Sequence, residues 1–472
     1  MKILLINPPS RRPLRAEIPL KIDEEIGAFP SLGLLYIATY LKKRMPSADV
    51  EVIDARIEKL DSARISGIVK LKNPDLVGIT TLTFSLLDVI DTAKAIKAVN
   101  PRIKICLGGA HVSIFPKESL SLKEIDFVVA GEGEETFLEL AEALTKKEGS
   151  FHRIKGLGFK DAQGGSVLNE LRQLTQDLDA LPVPDRRLIN YRKCYSLLGK
   201  SEFMATLQTT RGCPFRCIYC DQQSGKALRK RSVESVMREI QELYALGIRD
   251  IFFIDDLFTL DKKRVIELCQ RIIDKKISIF FKISARVDTV DKEMLKALKA
   301  AGCYRIHYGV ESGTQRIINR LQKGITLEQA KDAFSWTKEA GIDTFAYFMI
   351  GSPGETREDI LNSIDFAIKL DADYAHFSIC TPYPDTRLYN IAMDEGVVEN
   401  DYWREFASSP GDDFATRFWT KELSSGELVS LQNYANKRFY LRPSFFVKEL
   451  SRTRSLVAFK RKVKAALHIL NP

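Results

Sequence analysis

The chain has 472 residues, enough for two or three domains with substantial cores, and its 45% hydrophobic and 28% charged composition is that of a globular protein without low-complexity tracts. The formal net charge of +9 belongs to one end: residues 437–472 hold ten Lys/Arg against a single acid, Glu449, so residues 1–436 balance. A nucleic-acid-binding body is therefore not supported. Five of the eight cysteines are scattered through apolar runs, which is no disulfide framework and suits the reducing cytoplasm.

The N-terminal MKILLINPPS reads as a first strand and not as a signal peptide. The longest apolar run, LGLLYIATYL at 32–41, is too short to cross a bilayer. Over residues 1–150 the pattern predicts strands at 2–7, 50–55, 76–82, 103–109 and 126–132, separated by helices near 32–45, 61–72, 85–99 and 134–147. Five β/α units predict an open, doubly wound parallel sheet, whose ligands sit beyond the carboxyl ends of the strands. Candidate binding residues at those ends are Asn7, Pro8, Thr81, Gly108, Gly109, His111, Gly131, Glu132 and Gly133. A dinucleotide fingerprint is absent, because the first strand runs into NPPS and not into GxGxxG.

Residues 151–200, with Gly164-Gly165 and LPVPDRR at 181–187, read as a connector. A second β/α series fills 201–390, with strands predicted at 204–210, 250–256, 279–286, 304–312, 343–351 and 375–380. Six parallel units suit a partial TIM-like barrel, which places its chemistry at the C-terminal rim of the strands. Asp255, Asp256, Arg286 and the loop Thr381–Thr386 fall on that rim, as functional groups or as structural caps and ion pairs. Residues 391–472 become mostly helical. Leu456, Phe459, Val463, Leu467 and Leu470 recur at helical spacing beside Lys460, Arg461 and Lys464, which makes a basic amphipathic tail.

Just past the first barrel strand lies TTRGCPFRCIYC, in which Cys213, Cys217 and Cys220 crowd into eight positions. A closed structural zinc site takes four ligands, and no fourth Cys or His lies nearby. Three thiolates on a cubane leave one iron open for an exogenous chelate. CPFRCIYC resembles the CxxxCxxC motif of the radical S-adenosylmethionine (SAM) superfamily, with the aromatic Tyr219 before the last cysteine. The resemblance implies a 4Fe–4S cluster on these three cysteines, with SAM on the fourth iron. Reductive cleavage of SAM then gives a 5′-deoxyadenosyl radical that abstracts hydrogen from a substrate. YGVESG at 308–313 resembles the segment whose acid contacts SAM, here Glu311 followed by Ser312. IGSPGET at 350–356 resembles the adenine-side turn, with Gly351, Pro353 and Gly354. Arg286 is a further candidate on the same rim. Strand alternation puts Arg305, His307, Gly309 and Glu311 on one face, with His307 read first as a core histidine.

A flavodoxin-like domain ahead of such a barrel resembles the cobalamin-binding radical SAM proteins. The match is carried by INPP (6–9), PSLGLLYIATYLK (30–42), GGAHVSIFP (108–116) and GEGEETF (131–137) and covers nearly the whole chain. It is similar to the subgroup containing the anaerobic magnesium-protoporphyrin ester cyclase and radical enzymes of hopanoid synthesis, an impression strengthened by RFYLRPSFFVKEL at 438–450. The resemblance implies cobalamin, methylation or rearrangement of an unactivated carbon of a hydrophobic lipid or secondary metabolite, and reduced ferredoxin or flavodoxin as electron donor. The DxHxxG motif whose histidine ligates cobalt in the mutases is missing, since the only histidine of residues 1–150 is His111. A domain without cobalamin, serving a radical cyclisation or other rearrangement, is the alternative, and a non-enzymatic cobalamin or redox sensor is another. A methylthiotransferase is rejected, because it needs an N-terminal cysteine trio and residues 1–150 hold only Cys106. The basic tail suggests peripheral membrane contact through 444–472, or a helix docked on the barrel.

Overall fold

The computed structural model describes residues 1–12, 14, 27–146, 151–196, 198–221 and 224–445. The tail expected to meet a membrane lies outside these residues from 446 onward, as does the end of the 438–450 segment.

The first domain is built on β1 (Lys2–Asn7), β2 (Asp49–Asp54), β3 (Leu76–Thr80), β4 (Lys104–Gly108) and β5 (Phe127–Val129), parallel and ordered β2-β1-β3-β4-β5. Consecutive residues of β1 serve opposite faces. Ile3 and Leu5 pack with Leu34 and Leu41 of α1 (Leu32–Arg44) and with Phe137 and Leu140 of α4 (Glu134–Lys146). Leu4 and Ile6 pack with α2 (Ser62–Lys72) and α3 (Leu86–Val99) on the other side. A sheet covered on both faces needs such continuous apolar strands. The order reverses between β1 and β3, opening a crevice at their carboxyl ends. Residues 157–168, expected within the connector, instead add β6 (Leu157–Lys160) and β7 (Ser166–Leu168) antiparallel at the sheet edge. They escaped the periodicity because strands of four and three residues are too short to show one, and Gly164-Gly165 is their hairpin turn.

The second sheet holds β8 (Met204–Leu207), β9 (Asp250–Phe253), β10 (Phe280–Arg286), β11 (Cys303–Glu311), β12 (Asp343–Ile350) and β13 (Tyr374–Ile379), parallel and in chain order. β8 and β13 do not pair, so this is the partial (β/α)6 barrel expected. Ile251, Phe253, Phe281, Ile283, Ile306, Tyr308 and Phe348 face outward into the layer of helices. Both open edges are capped by side chains. Arg186 donates to the Thr206 carbonyl of β8 at 2.6 Å. From α10 (Ser425–Tyr440), Gln432 and Tyr440 donate to the Phe377 and Ala375 carbonyls of β13 at 2.7 and 2.6 Å. Edge groups are thus satisfied without a further strand.

A third apolar cluster joins the pieces. Leu86, Leu87 and Phe115 of the first domain, Ile218 of the cysteine loop, Met349 of β12 and Leu388, Tyr402, Trp403 and Trp419 of the C-terminal region pack together. Trp403 is fully buried and its indole N–H donates to the Pro382 carbonyl at 3.0 Å. Trp403→Ala is expected to cost about 3–5 kcal/mol, read as a lowered midpoint in chemical denaturation followed by tryptophan fluorescence.

Candidate active site

The cysteine loop has almost no regular structure of its own and is held from outside. Just past β9, the buried Asp255 carboxylate accepts from the amide of Thr209, which follows β8, at 2.6 Å, from the Thr209 and Thr210 hydroxyls and from the Thr210 amide. Burial still pushes its pKa up to about 6, against these hydrogen bonds. The next carboxylate, Asp256, takes the Gly212 amide at 3.0 Å. Gly212 has φ +93°, and a Cβ there would run into the Ala227 carbonyl, so the turn into Cys213 needs glycine. Ile218 anchors the middle: its amide donates to Leu321 O at 3.1 Å and its carbonyl accepts from the Leu388 amide at 2.8 Å. Asp255 and Asp256 are thus caps of the loop.

Cys213 and Cys217 are half-buried and Cys220 is exposed. Burial raises the pKa of Cys213. Among the described residues no three metal-ligating side chains converge on one ion. Arg286 lies alongside: its guanidinium covers the Phe215 ring at 3.6 Å, bonds Asp288 and the Lys323 carbonyl, and reaches to 3.9 Å from Cys217 Sγ.

Glu311 ends β11 with φ +70°, and the pairing with β12 slips between Gly309 and Glu311. A non-glycine residue held in this region marks a constrained site. The bulge re-aims the Glu311 carboxylate at Lys323 Nζ, 2.7 Å away, and Lys323 also lies 3.1 Å from the Tyr219 hydroxyl. Gly309 makes room, since a Cβ there would come within 2.5 Å of the Glu311 carboxylate and 2.7 Å of Lys323 Nζ. Burial, reinforced by Glu311, pushes the Tyr219 phenol well up. Lys323 was not legible in the sequence. It sits in an ordinary turn, RLQKG, and only the fold places it between Tyr219 and Glu311.

Ser312, expected beside Glu311 as a contact, is wholly buried and turned away. Its hydroxyl bonds Glu355 at 3.3 Å and Ser363 at 3.1 Å. It therefore ties the end of β11 to the 350–356 turn. There Glu355 takes the Ser352 amide at 2.9 Å, and burial pushes its pKa up to about 8. Gly351 packs against Leu428 of α10, Pro353 is buried, and Gly354 donates to Glu422 at 2.8 Å and accepts from Arg316. The Thr381–Thr386 loop is structural: Pro382 accepts from Trp403 and Thr386 caps the following helix.

In the first domain the predicted strand-end residues gather at the crevice, in two different roles. Asn7 is committed to Asp54 at 2.9 Å, with Pro8 buried beside it. Thr81 donates its amide to Gly108 O at 2.7 Å, and a Cβ on Gly109 would press on Thr81 O. Space beside Gly131 is open, and Gly133 lies against Ile37. Leu82 and Phe84, 48% and 40% exposed, add apolar surface that sequence reading passed over. This lining fits a large ligand with an apolar face. His111 does not contribute: it is fully buried, packs on Phe115, bonds Thr83 Oγ1 through Nδ1 at 3.1 Å, and burial lowers it to about 4. Glu132 departs from its expected role at the ligand loop. Its carboxylate meets Arg211 and Arg229, each at 2.9 Å, and the Thr175 amide at 2.7 Å. Burial alone would raise its pKa, but these partners hold it below the ordinary value. Glu134 meets Arg211 as well, at 2.7 Å, and the guanidinium lies over the Tyr36 ring. Arg211 immediately precedes Gly212 and Cys213, so the cysteine loop is bolted to the crevice domain.

The family model of the Radical SAM superfamily matches residues 207–367, and that of the B12 binding domain matches residues 27–141. An uncharacterized methyltransferase of Pyrococcus horikoshii is 36% identical, over 99% of this chain and 98% of its own. The anaerobic magnesium-protoporphyrin IX monomethyl ester cyclase of Cereibacter sphaeroides is 30% identical, over 90% of this chain and 69% of its own. Among solved structures, the cobalamin-dependent S-adenosylmethionine radical enzyme OxsB, with aqua-cobalamin and SAM bound, superposes with a TM-score of 0.74 at 18% identity, covering 99% of this chain and 71% of that one.

The buried Glu355 yields a pH test. Its folded pKa of about 8 lies above the ordinary 4.5, so the native state favours the protonated form. Its contribution is whole at low pH and shrinks as pH rises between those values. Glu355→Gln is expected to melt with wild type at pH 5 and above it at pH 8, in paired thermal scans.

Proposed function

This chain belongs to the radical SAM superfamily, in the branch that carries a B12-binding domain, and from that premise we propose that it transfers a methyl group to an unactivated carbon of a hydrophobic lipid or secondary metabolite. The cofactors of this family are a 4Fe–4S cluster, SAM and, through the first domain, cobalamin. The carrying observation is convergence: Cys213, Cys217 and Cys220 lie on the barrel rim beside the Glu311–Lys323 pair, and Arg211 locks that rim to the strand-end crevice. Methyl transfer is preferred over cyclisation because the 36% identical, full-length relative is described as a methyltransferase.

When bound, the reduced cluster supplies the electron that cleaves SAM, and cobalamin supplies a methyl carrier. The chain's own residues do the positioning. Cys213, Cys217 and Cys220 would hold three irons. Glu311 and Lys323 form a buried acid–base pair of the charge complementary to the ammonium and carboxylate of an amino acid, and would hold the methionyl part of SAM. The bulge at Gly309–Glu311 and the Ser312–Glu355 tie fix that pair against the 350–356 turn, which would take the adenine side. Arg286 lays a positive charge beside Cys217. With His111 sealed in the core, no histidine of the described first domain is offered to cobalt. Reduced ferredoxin or flavodoxin is the proposed electron donor. No helix among the described residues is long and apolar enough to cross a membrane. The tail is proposed to bring the enzyme to an anionic membrane surface.

Anaerobic purification should give about four irons per chain, since a cubane on three cysteines has four, together with a cobalamin spectrum. Wild type is expected to form 5′-deoxyadenosine from SAM after reduction. Cys217→Ala should abolish this, and its survival would refute the cluster assignment. Lys323→Met should keep the iron count while weakening SAM binding at least about tenfold, the loss of one buried charge-assisted contact. In liposome flotation, deletion of 452–472 should release the enzyme from anionic vesicles, and unchanged flotation would remove the membrane role.

A further inference from the structure

Inside the barrel, below the rim, β10 and β11 present a second set of polar groups. The register aligns Lys282 with Arg305, Ser284 with His307 and Arg286 with Gly309. Lys282 thus stands four residues below Arg286, about 13 Å along the strand. Above it the lumen is open: the inward-facing Phe252, Ser284, Phe345, His376 and Ser378 are partly exposed, and Tyr347 is 36% exposed.

The floor of this tube carries a cation without an ion-pair partner. Lys282 is 4% exposed, its ammonium bonds Ser196 Oγ at 3.0 Å, and it lies 4.7 Å from the Phe252 ring centre and 5.6 Å from that of Phe29. Among the described residues Lys282 makes no direct ion pair, and the opposing charge that acts on it is that of Asp250. Four charged or titratable groups surround it. Asp250 is occupied by the Lys200 amide at 2.6 Å and the Tyr304 hydroxyl at 3.2 Å. Arg305 pairs with Asp343 at 3.4 Å and bonds Leu198 O. His307 stacks on Phe345, with ring centres 4.9 Å apart and planes at 7°, and its Nδ1 lies 2.9 Å from the Tyr347 hydroxyl. Its Nε2 is buried with no partner, and so is Arg305 Nε. Burial lowers Lys282 to about 8, which leaves it mostly charged at neutral pH, and drives His307 well down, so that it is neutral.

A buried cation and orphaned ring and guanidine nitrogens beneath an aromatic-walled tube are what a bound anion would satisfy. We propose that the lumen takes a flat apolar substrate bearing a carboxylate, seated on Lys282 with His307 beside it, so that the reacting carbon lies at the cluster end of the tube. Phe345, Phe252 and Tyr347 supply faces for the apolar body. This rests on the radical SAM reading, because it takes the lumen as the substrate site.

The test uses the reconstituted full-length enzyme and two probes of one shape, 2-naphthoate and its neutral methyl ester, titrated by calorimetry. Wild type is expected to bind the carboxylate at least tenfold more tightly than the ester. Lys282→Met should bring that preference below threefold while the iron count stays at the wild-type level, and Lys282→Arg should restore the preference. Wild type alone gives a second reading: 2-naphthoate, and not the ester, should shield Lys282 from reductive methylation, scored by peptide mass spectrometry. Equal binding of the two probes by wild type, a preference that survives Lys282→Met, or an unshielded Lys282 would overturn the proposal. Wild type that binds the probes as expected but never cleaves SAM would refute the reading above and leave this site standing.

Discussion

Arg211 is the joint on which the molecule depends. Its guanidinium is nearly buried between Glu132 and Glu134, while the backbone on its C-terminal side is already the turn into Cys213. A charge so placed is secure only with its partners, since removing one side of a buried pair leaves the other unpaired in a low-dielectric setting. The loop has no ladder of hydrogen bonds to define it, so its geometry is borrowed from the first domain through Arg211, from β9 through Asp255 and Asp256, and from the C-terminal region through Ile218.

That borrowing explains why the two domains form a single apparatus. A strand-end crevice and a barrel rim are each where their own architecture exposes backbone and loop residues for ligands. Setting one against the other would bring the proposed cluster and cobalamin sites to a shared space. The apolar cluster from Leu86 and Phe115 through Ile218 to Trp403 seals the side of that space. The barrel below runs from the rim that carries the cysteine loop through aromatic walls to a charged floor, and helices cover its mostly apolar outer surface.

Much of this was legible in the residues. All eleven main parallel strands lie where the alternation and the apolar runs place them, with ends that differ by at most three residues. Elsewhere the fold redirects side chains that the sequence offers to a ligand: the bulge at Gly309–Glu311 turns Ser312 into the core, and Arg211 claims Glu132. His111 follows the Gly108-Gly109 pair by two residues yet packs on Phe115. β6 and β7, at four and three residues, are too short to show a period. Lys323 has no sequence signature, because its partners come from 104 and 12 residues away.

By itself the sequence determined the chemistry's starting point: three cysteines at CxxxCxxC spacing make a three-thiolate loop in any fold that presents them on a strand end, and continuous apolar strands separated by amphipathic helices force two covered parallel sheets. Tertiary structure decided which polar groups face a ligand and which face each other. Asp255 and Glu132 are carboxylates near strand ends whose roles neither residue type nor spacing reveals. Both became clamps, while Glu311 pairs with Lys323 and Lys282 bonds Ser196, because partner and burial are set by chain segments far apart in sequence.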